Sequence, residues 1–553
     1  MSPLIFILCF DPILKELDLN SNHGYEINGQ KIISAPFADD FCLISNNKMT
    51  HQRLISKISK LTKTMGLKLK PVKCRSLSIS SGKPTAVKFN LDDSIIPTLD
   101  EESHKFLGSL VTFKNTNLDV FQYLEKKLRS GLENIEKGLI RNEFKLKVYA
   151  EYFLPSIRFH LTVNDTSMSH LQQLDALTDR YLKLWSGIPR PGTLAFLHTP
   201  RGLNIKSISS LYEECHTNAY ISSRVKADDK VNKCLDSQLN RESNWTKKVS
   251  QVVKSDQVLE AVNQEIPDAN LKQKQTKAKE IHQEQSTEKW HSHIKTLVVQ
   301  GRFLDLLHEE SKSFQWNSII YNLPNRVSKF LINSVTDTLN TRANLQRWGK
   351  AMSSHCKACG NHETLHHVLN HCPEFLKQGR YTWRHNNVLS YINNLLKTSI
   401  VEDEVLKCDL GDGCGFTTVP INCTVTNLIP DICLYSEKEK LITIIELTIP
   451  FELNIDSAHS RKSDKYAALV SDINANGIKT EFIALEIGSR GFISCDNDKR
   501  LRKLFNRCKS DISYKNFKLN ISKLAIISSF VIYHAKNDPM WENIPLLSVP
   551  YGN

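Results

Sequence analysis

The sequence predicts a multidomain protein of mixed α+β and α/β class. Three features carry that expectation. Its 553 residues leave room for about three or four domains. Short apolar, β-prone runs alternate with helical patterns near both ends, with a polar stretch between them. A tight cysteine–histidine cluster marks a small unit before the last third. The expected divisions are residues 1–115, 116–225, 226–350, 351–395 and 400–553.

Composition bounds the partners. The chain is 40% apolar and 24% charged, which is ordinary for a globular protein and supplies several cores. Lys plus Arg (72) exceed Asp plus Glu (59), for a net charge of +13. Such an excess suits a polyanion. No apolar run approaches the roughly 20 residues of a membrane span, so no membrane partner is expected. Met1–Phe10 is apolar but lacks the basic flank of a secretory signal, and Asp11 follows at once. A reducing compartment follows, and clustered cysteines point to metal before disulfide.

The first element of interest is a turn in a mixed α/β region. Phe37-Ala38-Asp39-Asp40 stands between Lys31-Ile32-Ile33 and Phe41-Cys42-Leu43-Ile44, the pattern of a hairpin with two carboxylates at its tip. Adjacent acids repel, and a divalent cation offsets the repulsion. Mg²⁺ is held through one or two carboxylates plus substrate phosphates, and two-metal phosphoryl transfer uses such a pair. A solvated acidic turn is the plainer reading of a lone Asp-Asp. Here Gly66-Leu67-Lys68-Leu69-Lys70-Pro71-Val72-Lys73-Cys74 follows, then the strand-like Ser76-Leu77-Ser78-Ile79-Ser80, then His104-Lys105-Phe106-Leu107-Gly108.

Residues 111–225 read as helical. Leu171, Leu174, Leu177, Tyr181 and Leu184 form a stripe that predicts a core face, closed by Gly187-Ile188-Pro189-Arg190-Pro191-Gly192. Residues 226–290 are rich in Lys, Gln, Glu and Ser. They read as a helical or partly disordered connector with solvated charges, and helix returns over 291–350.

Cys356-Lys357-Ala358-Cys359, His367 and Cys372 have the spacing C-x2-C-x7-H-x4-C. Three thiolates and an imidazole make a closed tetrahedral Zn²⁺ site with a structural role. His366 and His371 are rivals for the histidine position. Arg380, Arg384 and His385 follow at near-helical spacing. Arg380 and Arg384 share a face, which suits phosphate contact and equally a solvated surface.

A second acidic constellation lies in the alternating C-terminal third. Pro430-Asp431-Ile432-Cys433-Leu434-Tyr435 reads as a strand, Ser436–Lys440 as a polar turn, and Leu441–Ile449 as a second strand. A turn symmetric about Lys438-Glu439 sets Asp431 opposite Glu446, with Cβ atoms roughly 4.5–5.5 Å apart. Two carboxylates at that distance can share one metal. Glu446 alternates with Ile442 and Ile444, so it points among apolar neighbours, where an unpaired carboxylate is costly. Lys462 and Lys465 arrive on a following helix, three apart on one face. Glu452 is a further acid or the partner of one of them. A surface hairpin with ordinary charges is the plainer alternative.

These motifs, in order, resemble the C-terminal part of the Pol polyprotein of non-long-terminal-repeat (type-1, site-specific) retrotransposons. The opening Ser2-Pro3-Leu4-Ile5-Phe6 and Phe10-Asp11-Pro12-Ile13-Leu14, the Asp39-Asp40 turn, the Lys73 loop and the 104–108 hairpin resemble a reverse transcriptase palm. Residues 116–225 resemble its thumb. The knuckle with its Arg-His-Asn helix, and the stretches Glu446–Glu452, Lys462–Tyr466 and Leu485–Phe492 (with Arg490), resemble the zinc region and the PD-(D/E)-x-K restriction-like endonuclease of these elements. The resemblance implies Asp39 and Asp40 as polymerase metal ligands. It implies Asp431 and Glu446 with Mg²⁺ or Mn²⁺, and Lys462 or Lys465, for DNA cleavage. It implies Lys73, Arg380, Arg384, His385 and Arg490 as nucleic-acid contacts, and a DNA target, an element RNA and the nucleus as setting. The family's palm uses a third aspartate on an earlier strand. None precedes Met1, so a truncated or partial open reading frame, inactive alone as a polymerase, is expected. A zinc-held nucleic-acid-binding remnant without catalysis is the alternative.

Overall fold

A computed structural model describes residues 3–19, 21–27, 30–114, 116–226, 231–233, 235–236, 246–309, 316–410, 417–508, 511–539 and 541. Ser2 of the N-terminal motif and parts of the 226–350 stretch lie outside the described residues. The chain forms two compact units. The first comprises Met1–Gly138, Val148–Arg180 and Lys206–Gln285; the second comprises Leu139–Lys147, Tyr181–Ile205 and Ser286–Asn553. The knuckle region and the C-terminal third thus belong to one unit.

In the first unit the strands Ser34–Phe37 and Asp40–Leu43 pair antiparallel, with Phe37 opposite Asp40. Alternation sends Phe41 and Leu43 inward and leaves Asp40 and Cys42 exposed. The inward side packs on helices Pro3–Asp18 and Lys48–Thr64 through Phe10, Ile13, Leu17, Leu54 and Ile58. Asn47 caps the second helix, its side chain accepting the Thr50 N–H at 2.9 Å. Helix Asn117–Lys137 opens with a reciprocal Thr116–Asp119 capping box and buries Val120, Leu124, Leu128 and Leu132 along one face.

The stripe near 171–184 is only partly a core face. Leu171, Leu174 and Leu177 are buried on helix Met168–Ser186, but Leu184 is 55% exposed, and Leu182 and Trp185 are buried instead. The cause is the spacing. Steps of three residues fall short of the 3.6-residue turn, so the line winds round the helix. The polar connector also has a core. Val258, Leu259 and Val262 of helix Thr246–Glu265 pack with Tyr220, Ile221 and Ala278.

The second unit holds a four-stranded sheet in the order β1-β2-β3-β4 (Glu404–Cys408, Ile432–Ser436, Leu441–Thr448, Lys479–Glu486). The first two pairings are antiparallel, and β3–β4 is parallel. Helix α1 (Arg380–Lys397) precedes β1. Helix α2 (Ile455–Ala475) is the crossover between β3 and β4, and α3 (Cys495–Asn506) and α4 (Tyr514–His534) follow. One face of the sheet (Ile445, Leu447, Ile483, Leu485) packs with Val388, Leu389 and Ile392 of α1 and Phe517 and Ile521 of α4. The other face (Ile442, Ile444) packs with Tyr466, Leu469 and Ile473 of α2. A strand covered on both faces reads as a near-continuous apolar run, which is why Glu446 stands out in β3. Along β4, Arg500 of α3 donates to the Ala484 carbonyl at 2.7 Å and Asn497 accepts the Glu486 N–H at 2.9 Å.

Two arginines expected on a phosphate-facing surface are interior. Arg380 and Arg384 are each 1% exposed. Arg380 donates to the carbonyls of Ala535 and Asp538, both at 2.7 Å. Arg384 donates to Ser529 Oγ at 2.9 Å and the Ile449 carbonyl at 3.2 Å. Their shared face is covered by the C-terminal segment, so both are corrected from phosphate contacts to internal ties. We expect Arg384→Ala to destabilise the second unit by about 2–4 kcal/mol in urea denaturation, since it removes two buried hydrogen bonds that tie α1 to Ser529 and Ile449 and leaves a cavity behind the guanidinium. An unchanged midpoint would contradict this role.

Candidate metal centre and active site

The cysteine–histidine cluster forms from the expected residues. The ligand atoms of Cys356, Cys359, His367 and Cys372 all lie within 4.8 Å of one another. The first pair sits on a knuckle where the Gly360 N–H reaches the Cys356 carbonyl at 2.9 Å. The amides of Ala358 and Cys359 bond to the Cys356 sulfur. A π-helical turn, His367–His371, spaces the second pair. Tyr381 on α1 fixes it: its hydroxyl accepts the Cys372 N–H at 3.0 Å and bonds to the His367 and Val368 carbonyls at 3.2 and 3.1 Å. Burial pushes the Cys372 thiol up to about 12. Thiols so disfavoured as bare anions need a cation to ionise, and soft sulfur with one imidazole suits Zn²⁺. His366 turns away, its ring tilted against those of His371 and Phe451 with centroids 4.1 and 4.7 Å apart. Burial lowers its pKa to about 4.

The acidic turn of the first unit is open. Asp39 and Asp40 are exposed at the hairpin tip, and Ala38 beside them adopts φ 54°, a region that favours glycine. Among the described residues, these two acids join no third side-chain ligand in a compact group. Lys73 is exposed on the short turn Pro71–Lys73.

The second acidic constellation assembles at one end of the β2–β3 hairpin. Ile432 pairs with Ile445 and Ser436 with Leu441. The same register, continued by one residue, sets Asp431 opposite Glu446. The Asp431 N–H donates to Glu446 Oε2 at 3.2 Å, and Asp431 Oδ2 accepts the Leu447 N–H at 2.7 Å. One residue further the register sets Pro430 opposite Leu447. Proline carries no N–H, so the backbone ladder cannot continue there and the aspartate side chain takes its place.

Glu446 is 2% exposed and pairs with Lys462 of α2. Burial and the Asp431 charge raise its pKa, against the pull of Lys462. The two lysines thus separate. Lys462 reaches the acid, whereas Lys465 reaches the Tyr466 hydroxyl at 3.0 Å and lies over that ring. The Tyr466 hydroxyl donates to the Ile429 carbonyl at 3.3 Å, and burial raises its pKa first, with the charge of Glu446 adding to it.

His385 of α1 belongs with Asp431. Its Nε2 lies 3.2 Å from both Asp431 Oδ2 and the Leu447 carbonyl. Burial works against its charged form, but the Asp431 bond and charge leave its pKa raised. It is corrected from a nucleic-acid contact to a partner of Asp431. Arg490 is corrected likewise. It is 3% exposed, its Nε donates to Glu452 Oε2 at 2.7 Å, and it lies between the rings of Phe303 and Phe451. That pairing also settles Glu452, which takes Arg490 and neither lysine. Gly488 is required beside it, because a Cβ there would stand 2.6 Å from Glu452 Oε1. Sequence reasoning missed the role of His385 and the supports Tyr381 and Tyr466. Only helical spacing from known ligands could have flagged them.

Residues 1–111 match the family of reverse transcriptases (RNA-dependent DNA polymerases). Residues 298–378, which include all four Cys/His ligands, match the family described as zinc-binding in reverse transcriptase. Over 530 residues the chain is 24% identical to the retrovirus-related Pol polyprotein from type-2 retrotransposable element R2DM of Drosophila melanogaster, covering 91% of this chain and 45% of that one. A Pol polyprotein from type-1 retrotransposable element R2 of Nasonia vitripennis is 21% identical over 406 residues, 71% of this chain and 35% of its own length. The chain therefore spans less than half the length of these relatives. It is a relative of the Pol polyproteins of R2-type non-long-terminal-repeat retrotransposons, with a reverse transcriptase region and a zinc-binding region that carries a Cys₃His cluster.

Proposed function

We propose that the second unit nicks DNA, within a retrotransposon protein whose reverse transcriptase region copies element RNA from the freed end. The carrying observation is the Asp431–Glu446 pair, opposed by strand register with Lys462 on Glu446. The helix, three strands, crossover helix and fourth strand around it (α1 to β4) support a restriction-like endonuclease core. Hard carboxylate oxygens suit Mg²⁺ or Mn²⁺. A divalent ion held by Asp431 and Glu446 would polarise the scissile phosphate and lower the pKa of the attacking water. Lys462 partly offsets the charge of Glu446 and stands where an ammonium can meet a phosphate oxygen or orient the water. Lys465 supports Tyr466. The zinc knuckle ties the chain ahead of α1 and has no open ligand position. Asp39 and Asp40 are the metal-binding acids of the copying site on this reading, with DNA and RNA partners and action in the nucleus.

The test is plasmid nicking by the purified chain. Nicking with Mg²⁺ or Mn²⁺ and none with chelator is expected, and Asp431→Ala abolishes it. Nicking by Asp431→Ala equal to the parent would reject the site, and no cleavage at any metal concentration would leave a zinc-held binding protein. Lys462→Ala should lower the rate by about 10²–10³-fold, and Lys465→Ala far less. Because the pKa of Glu446 is raised, its carboxylate takes up a proton as pH falls before ordinary carboxylates do. At sub-saturating metal, where the proton and the ion compete for that carboxylate, nicking should therefore fade above the usual carboxylate range on acidification. A rate that holds down to that range would count against Glu446 as a ligand. Cys372→Ser should release the zinc, read by atomic absorption, and lower the melting temperature. Full zinc retention would exclude Cys372 from the set.

A further inference from the structure

We propose that His385 Nε2 is a direct ligand of the cation at Asp431, together with the Leu447 backbone carbonyl. This deepens the cleavage reading and rests on it for the choice of ion. The hydrogen-bond chain around the ring decides its chemistry. Asn386 donates through its amide nitrogen to the Leu410 carbonyl at 2.9 Å, which turns Asn386 Oδ1 toward His385 Nδ1 at 3.0 Å. A carbonyl oxygen only accepts, so Nδ1 carries a hydrogen. In the neutral ring Nε2 is then a bare lone pair. It faces two further acceptors, Asp431 Oδ2 and the Leu447 carbonyl, each at 3.2 Å.

A bare Nε2 lone pair 3.2 Å from each of these two oxygens is repelled by both unless a positive charge sits between. A proton on Nε2 serves when no metal is bound. A divalent ion serves better, because adjacent ligands of a six-coordinate ion with bonds near 2.1 Å lie about 3.0 Å apart, close to the spacing present. The backbone supplies its share for a reason written in the sequence. The register of Ile432 with Ile445, extended by two residues, sets Pro430 opposite Leu447, and proline has no N–H to occupy that carbonyl. Asn386 is the outer partner that fixes the ring, as the partners of metal-bound histidines do. The site is thus one nitrogen and at least two oxygens, a mixture that favours Mn²⁺ over Mg²⁺ because imidazole suits the transition ion.

The experiment uses the full, zinc-loaded chain with Mn²⁺ as probe. Pulsed electron paramagnetic resonance of the bound Mn²⁺ should show coupling to a histidine ¹⁴N, lost in His385→Gln. Mn²⁺ affinity should fall about 10-fold or more in His385→Gln and vanish at this site in Asp431→Asn. Absence of nitrogen coupling in the parent protein overturns the proposal, whatever the variants do. So does a His385→Gln protein that binds Mn²⁺ as tightly as the parent. Nicking is scored separately. Nitrogen coupling without nicking keeps the ion site and removes the nuclease reading. Nicking without nitrogen coupling keeps the nuclease and removes His385 as ligand.

Discussion

The register of one hairpin governs the candidate active site. Ile432 opposite Ile445 fixes Asp431 opposite Glu446, and a slip of one residue would turn Glu446 to the other face of the sheet. The slip is disfavoured by packing on both sides. Ile442 and Ile444 fill the core under α2, while Ile445 and Leu447 fill the core under α1 and α4. The apolar pattern therefore holds the acids where they are, although it takes no part in their chemistry. Pro430 ends the ladder at the next position and frees Leu447 for the Asp431 side chain.

Buried charge in the second unit is matched nearly group by group. Arg490 satisfies Glu452, and Arg500 with His459 satisfies Glu486, whose carboxylate is fully buried. Arg380 and Arg384 instead satisfy backbone carbonyls of the C-terminal stretch and the end of β3. Such groups are costly to bury alone and strongly destabilising to break. Their effect is to lock α1 to the rest of the unit, and α1 carries both Tyr381 at the zinc ligands and His385 at the acids. The Cys₃His cluster and Asp431 are thus supported by one helix.

Much of this was legible in the residues. The C-x2-C-x7-H-x4-C spacing pointed to the three clustered cysteines and left His366, His367 and His371 as rivals, and the fold brings His367 to the cysteines. The hairpin pairing followed from counting outward from a polar turn. Reading Arg380 and Arg384 failed for a physical reason. Helical spacing tells which residues share a face, but not what covers it, and the cover here comes from about 150 residues downstream. The choice between Lys462 and Lys465 needed side-chain direction, which two helix positions three apart do not reveal. The role of His385 was hidden because its partners, Asp431 and Leu447, lie in different strands. The two β-prone runs around Asp39 and Asp40 told of a hairpin with the acids at its tip, and Ser34–Phe37 does pair with Asp40–Leu43.

The central claim is that strand pairing gathers Asp431 and Glu446 about one cation. Crystals of the chain soaked in Mn²⁺, with data collected at the manganese absorption edge, test it most directly. An anomalous peak within bonding distance of carboxylate oxygens from both residues is the predicted result. A well-ordered hairpin with no peak there, or with the two carboxylates turned apart, would contradict it.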